Sequence, residues 1–220
     1  MLKRETRQAS GEGKVEAVAQ RGRPTGDHDA KRAELLKAAT SVIAQEGYAN
    51  TSLRKVAQRA GYTTGAVTYY FANKEELVIA LARSRFDRYD AMLAEVAAEG
   101  DVRGLFERWL NLTTGDPEFG SVMSELLAHG RHEPVLAAVI AERYAHFRRV
   151  HTSIVAAGQA RGTIRDDIPA DLLTDQLSAM GDGWALMFPL ESERFTPSRA
   201  RALVDAVIAL IAPVPGARRP

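Results

Sequence analysis

The sequence predicts an all-α protein built as a small three-helix head followed by a larger helical body. Apolar residues recur at separations of three and four along most of the chain, the period of a helix with one buried face. Each such run opens on Ser, Thr, Asp, Asn or Pro, the residues that cap or begin helices. No stretch reads as a strand. The expected division is residues 1–27 as a flexible basic arm, 28–74 as the head, 75–212 as the body and 213–220 as a tail.

Residues 1–27 hold little apolar periodicity and much Gly, Gln, Lys, Arg and Glu, so they cannot bury enough apolar surface to fold alone. Within them, Arg21-Gly22-Arg23-Pro24 has the form of short segments whose arginines enter a narrow minor groove; a plain basic tail reads equally well. The first helix is expected over residues 29–45, where Leu35, Leu36, Ala39, Val42 and Ile43 make a broad apolar face and Gly47 ends it. Next come two short helices bent about Gly61. In the first, Leu53, Val56, Ala57 and Ala60 share a buried stripe while Arg54, Lys55, Gln58 and Arg59 point away. Thr63 or Thr64 restarts the chain as an N-cap, and in the second helix Val67, Tyr70 and Phe71 face inward. The opposite face carries Thr64, Gly65, Thr68 and Tyr69, with Ala66 beside them.

That outward face suits a helix entering the major groove, because small residues let the backbone approach the base edges. Thr64 and Thr68 can exchange hydrogen bonds with bases, and Tyr69 can reach a phosphate. Asn73-Lys74-Glu75-Glu76 then starts another helix whose free N–H groups and Lys74 suit a backbone phosphate. A tight pair of bundle helices with no nucleic acid would show the same spacing.

The ordered series Thr51-Ser52-Leu53, Val56-Ala57, Ala60-Gly61-Tyr62-Thr63, Gly65-Ala66-Val67, Tyr69-Tyr70-Phe71 and Asn73-Lys74-Glu75-Glu76-Leu77 resembles the amino-terminal domain of TetR-type transcriptional regulators. The likeness covers roughly residues 30–80. It implies a helix-turn-helix DNA-binding domain, a homodimer on a palindromic operator, repression as the usual outcome, and release when a small molecule fills the second domain. Carried onto this chain, the DNA-facing residues are Arg54, Thr63, Thr64, Gly65, Ala66, Thr68, Tyr69 and Lys74, with Thr51 and Tyr70 beside them and Arg21 and Arg23 on the arm. Many members have Lys where Thr64 stands and Tyr where Thr68 stands, so an operator sequence does not carry over.

The formal net charge of +1 hides an asymmetry. Residues 1–74 hold 13 Lys and Arg against 7 Asp and Glu, whereas the remainder holds 16 against 21. A basic head on an acidic body suits a protein that lays one lobe on a polyanion. There is no cysteine, which excludes disulfides, thiolate metal sites and cysteine nucleophiles. No apolar run approaches the roughly 18 residues of a membrane span, and with no secretory leader the chain is expected in the cytoplasm. Phosphate loops, dinucleotide fingerprints and hydrolase motifs are missing too, so no cofactor, metal or catalytic residue is expected.

In the body a long helix from Asn73 to Gly100 is spaced by Val78, Ala82, Phe86, Tyr89, Leu93 and Val96, long enough to join two lobes rigidly. Asp101 caps the next, and Asp116-Pro117 is expected to open the one after, closed by Gly130. Pro134, Pro169 and Pro197 begin the last three. The helices from Pro134 and Pro169 carry small residues, Ser153, Ala156, Ala157 and Gly158 on one and Ser178, Ala179, Gly181 and Ala185 on the other. The resemblance makes these the dimer helices; plain packing within one chain is the other reading. An excess of large adaptable side chains, Phe106, Trp109, Met123, Leu127, Phe147, Met180, Trp184, Met187 and Phe188, is expected to line an effector cavity, with His129, Arg108 or Glu125 as polar anchors. A helical enzyme or carrier with a buried site is the competing class.

Overall fold

The computed structural model describes residues 25–99 and 101–214. The arm with Arg21 and Arg23, and the tail from 215, lie outside the described residues.

Among the described residues there are nine α-helices, one short 3-10 turn at Ser192–Arg194, and no strand. Helix α1, Thr25–Glu46, begins earlier than its apolar face alone indicates. Asp27 stabilises the exposed N–H groups of the first turn and pairs with Lys31 one turn on at 3.2 Å. Helix α2, Leu53–Ala60, is capped by Ser52, whose hydroxyl accepts from the Lys55 N–H. It ends at Gly61, with φ +73, a left-handed conformation costly for a side chain. Thr63 caps α3, Thr64–Tyr70, by accepting from the Ala66 N–H. At the start of α4, Lys74–Glu99, Asn73 accepts from the Glu76 N–H at 2.8 Å while Glu76 accepts from the Ala72 N–H at 2.9 Å, a reciprocal capping box. Leu35, Val42, Ile43, Val56, Val67, Phe71 and Leu77 are buried together, so α1 to α3 and the first turns of α4 share one core.

The body adds α5, Val102–Thr114, α6, Phe119–Gly130, α7, Pro134–Ala160, α8, Ala170–Met187, and α9, Pro197–Ile211. Asp116 does not open a helix as the sequence suggested. Its carboxylate is drawn to the buried Arg85 of α4 at 2.8 Å, and Asp116 to Glu118 form a turn before α6. Helices α7 and α8 pack as a hairpin, turned at Gly162 with φ +70. Ile164 folds so closely over Gly158 that a Cβ there would lie 2.4 Å from it, so Gly158 serves packing within the chain.

Candidate nucleic-acid interface and ligand cavity

On α3 the outward face is open: Thr64, Gly65 and Thr68 are exposed, and Tyr69 is 72% exposed, while Val67 beneath is sealed in the core. A Cβ on Gly65 would meet nothing closer than the Thr63 hydroxyl at 3.9 Å, so this end of the helix can approach a surface closely. Thr63 and Arg54 are exposed on the same motif, Ala66 is half-buried, and Tyr70 is half-buried against the His28 ring at 4.7 Å.

Two expected contacts are turned inward. Thr51 is only 3% exposed and its hydroxyl donates to the Gly47 carbonyl at 2.9 Å, so it ties the α1–α2 turn together. Lys74 is half-buried: its ammonium donates to the Tyr48 carbonyl at 2.5 Å and sits 4.0 Å from the centre of the Tyr48 ring. Burial lowers its pKa from the ordinary lysine value, opposed by Glu75. In this arrangement its charge is spent on the turn rather than presented outward.

The body contains a cavity of about 710 Å³ lined by α4 to α8. Of the residues expected there, Phe106, Trp109, Met123, Leu127 and Phe147 line it. His129, Met180, Trp184, Met187 and Phe188 do not. Trp184 stands behind the wall against Phe106 at 5.8 Å and Trp109 at 6.4 Å; Phe188, beyond the end of α8, packs on Phe195 at 5.8 Å. Met180 is half-buried against the apolar core.

The three expected anchors also face elsewhere, for a reason of helical phase. Residues 120, 123, 124, 127 and 128 of α6 share the cavity face, which puts 122, 125, 126 and 129 on the other side. There Glu125 accepts from the buried Tyr48 N–H at 2.8 Å, and the His129 ring lies edge-on to Tyr48 with its Nε2 buried and without a hydrogen-bond partner. Arg108 pairs with Glu95 at 3.3 Å. Helix α6 therefore touches the cavity with one face and grips the head with the other. The Tyr48 backbone is held from both sides, its N–H by Glu125 and its carbonyl by Lys74.

Sequence reasoning missed the cavity's polar side. Tyr89 of α4 meets His151 Nε2 at 3.0 Å, and His151 Nδ1 faces Ser178 at 3.4 Å. Burial lowers the His151 pKa to about 4, so the ring is neutral, and it raises those of Tyr89 and Tyr144. Tyr144 donates to Asp182 at 3.5 Å; Asp182 is exposed at the cavity mouth, where partial desolvation by its neighbours raises its pKa and that hydrogen bond opposes the rise. The signal available was the spacing of Tyr144, Phe147 and His151, one face of α7 opposite Phe86 and Tyr89.

An all-helical chain with an exposed second helix on a helix-turn-helix and a roomy cavity behind it has the form of a DNA-binding regulator. Comparison with known proteins makes the class specific. The family model for bacterial regulatory proteins of the tetR family matches residues 35–81, and that for the carboxy-terminal domain of BetI-type transcriptional repressors matches residues 98–213. The chain belongs to the TetR family of transcriptional regulators.

It is 28% identical over 179 residues to the HTH-type transcriptional repressor Rv1474c of Mycobacterium tuberculosis, covering 81% of this chain and 91% of that one. A transcriptional regulator structure from Pseudomonas aeruginosa PAO1 superposes with a TM-score of 0.71 at 20% identity, covering 83% and 90% of the two chains. The regulator FadR of Bacillus subtilis, solved in complex with stearoyl-CoA, superposes with a TM-score of 0.68 at 21% identity, covering 84% and 99%. Among the described residues, no helix is long and apolar enough to cross a membrane, and no group of three or more acidic, His or Cys side chains could hold a metal.

Proposed function

We propose that this chain is a ligand-responsive repressor that binds a palindromic operator as a homodimer in the cytoplasm and leaves it when a small, largely apolar molecule fills the cavity. The observation that carries the reading is α6, whose one face lines the cavity while Glu125 and His129 on the other hold the turn that leads into the helix-turn-helix. A ligand that displaces α6 changes the free energy of the head's position, and it acts only in proportion to its preference for the released form.

Thr64 and Thr68 read bases, while Tyr69, Thr63 and Arg54 hold phosphate or sugar, with Gly65 and Ala66 allowing the approach. Thr51 and Tyr70 support that face from behind. Lys74 reaches phosphate only if it leaves Tyr48, so its contribution is coupled to the clasp.

Dimerisation is supported by an exposed stripe of α8, where Leu172, Ala179, Gly183 and Leu186 recur at helical spacing, the last three at the mouth of the cavity, and Leu190 follows beyond the helix end. Leu172, Leu186 and Leu190, each more than half exposed, form an apolar row of the kind that marks an interaction surface. Ser153 and Ala156 of α7 are exposed as well, whereas Gly158 is used within the chain. Two recognition helices must be set about one DNA turn apart to read a palindrome, which a twofold interface accomplishes.

The test is a gel shift at moderate salt with the DNA upstream of the chain's own gene, alongside size-exclusion chromatography. A dimer that shifts this fragment before a scrambled one supports the reading; a monomer, or equal shifts, refutes it.

A further inference from the structure

This inference rests on reading α3 as the helix that enters the groove, and it concerns what holds that helix's most exposed ring in place. Tyr69 is 72% exposed on a helix of seven residues, and among the described residues its hydroxyl has no hydrogen-bond partner. An exposed ring on so short a helix samples several rotamers unless a neighbour restrains it, and freedom lost on binding costs affinity. Helix α3 packs on α2, which carries no aromatic side chain to meet Tyr69.

The restraint comes from α1. His28, in its first turn, lies against both tyrosines of α3, with ring centres 4.7 Å from Tyr70 and 6.0 Å from Tyr69, the latter edge to face. Tyr69 and Tyr70 meet edge to face at 5.1 Å. The three rings close a triangle in which the half-buried Tyr70 is fixed against the core and His28 bars Tyr69 from swinging away. His28 is itself set by Asp29, whose carboxylate lies 3.6 Å from its Nδ1, on a turn that Asp27 and Lys31 brace. One turn on, Arg32 lies over the Phe71 ring at 5.4 Å, so the same face of α1 grips the end of α3 at a second point. Residues 25–29 contain no aliphatic side chain for the core, and the contact that favours their ordering as helix is the His28 ring on α3.

We propose that His28 is a positioning residue for DNA binding: its ring holds the Tyr69 phenol in the orientation that meets the duplex backbone, so that little side-chain freedom is lost when the operator is bound.

Anisotropy titration of the full chain with a labelled duplex from its own upstream region tests this. His28→Ala weakens binding by about three- to tenfold, the range expected when one large side chain must be ordered on binding. The factor is similar across a panel of operator variants, because a backbone contact carries no sequence information. His28→Phe, which keeps a ring against the tyrosines, stays within about twofold of the unaltered chain. In a Tyr69→Ala chain, itself weakened, His28→Ala has almost no further effect, below about 1.5-fold.

A residue that merely stabilised the head would weaken both backgrounds alike, so equal loss with and without Tyr69 overturns the proposal. Affinity unchanged by His28→Ala, a loss confined to particular bases, or binding by His28→Phe as weak as by His28→Ala overturns it too. Should His28→Ala fail to fold, His28→Gln removes the ring and keeps the helix, and the same comparisons apply. Undiminished binding by Tyr69→Ala refutes the assignment of Tyr69 to the backbone and the role of His28 with it. A weakened Tyr69→Ala beside a silent His28→Ala refutes the positioning role alone.

Discussion

Replacing Glu125 by Ala probes the joint between cavity and head most directly. The Tyr48 N–H donates to this carboxylate at 2.8 Å from a residue that is 8% exposed, so the truncated side chain leaves a buried donor without an acceptor. A hydrogen bond to a charged group contributes about 1.5–3 kcal/mol, most of it lost when the donor is orphaned. For a chain of this size each kcal/mol moves the melting temperature by about 2–4 °C, so a loss near 2 kcal/mol lowers it by about 4–8 °C. Glu125→Gln keeps an acceptor oxygen at the same reach and loses about 1 kcal/mol or less. Scanning calorimetry of the three proteins checks the magnitudes. Operator affinity checks the coupling, because an unclasped turn lets the head move independently of α6, and affinity becomes less sensitive to whatever fills the cavity. Melting of Glu125→Ala within a degree or so of the unaltered chain would refute the argument that this contact joins the lobes.

Other expectations concern the reading face, acidity and packing. Tyr69→Phe weakens binding to all duplexes by a similar factor, while Thr68→Ala changes the preferred base; anisotropy titrations against a panel of operator variants separate the two, and equal behaviour of both would contradict their assigned roles. His151 is neutral when folded, with a pKa of about 4 against an ordinary 6.5, so the unfolded chain binds its proton first as the solution is acidified. Stability present above pH 6.5 is therefore lost as pH falls toward 4, by up to about 3 kcal/mol. Urea unfolding at several pH values shows this, and a His151→Gln chain should respond less steeply. Gly120→Ala would put a Cβ 2.6 Å from Pro189 and 2.7 Å from the Ala185 carbonyl, forcing α6 from α8 at a cost of about 1–3 kcal/mol, visible in thermal unfolding.

The head was readable because its determinants are local. The cap at Ser52, the left-handed Gly61, the cap at Thr63 and the box at Asn73 and Glu76 each specify a boundary within four residues, and the stripe of Val56 and Val67 then closes the core. The start of α1 was less so, because Asp27 and His28 are polar and act through Lys31 and the Tyr70 ring. In the body, periodicity identified the helices and several cavity residues, but rotational phase depends on which neighbour each helix meets. Glu125 and His129 looked like cavity anchors on a wheel that had no partners drawn; the α1–α2 turn claims them. Arg85 could not be matched with Asp116 across 31 residues of sequence, and that pairing displaced the start of α6. Asp182 lies beside Tyr144 because α7 and α8 fold back on each other, a pairing that no local pattern in the sequence specifies.

The central claim is that two copies of α3 read neighbouring turns of one operator. Footprinting the chain on its own upstream DNA at near-physiological salt tests it most directly. The account predicts two protected half-sites related by a twofold axis, with centres about 10–10.5 base pairs or a multiple apart, and loss of protection when Thr64 and Thr68 are both replaced by Ala. A single protected site, or uniform protection that ignores sequence, would contradict it.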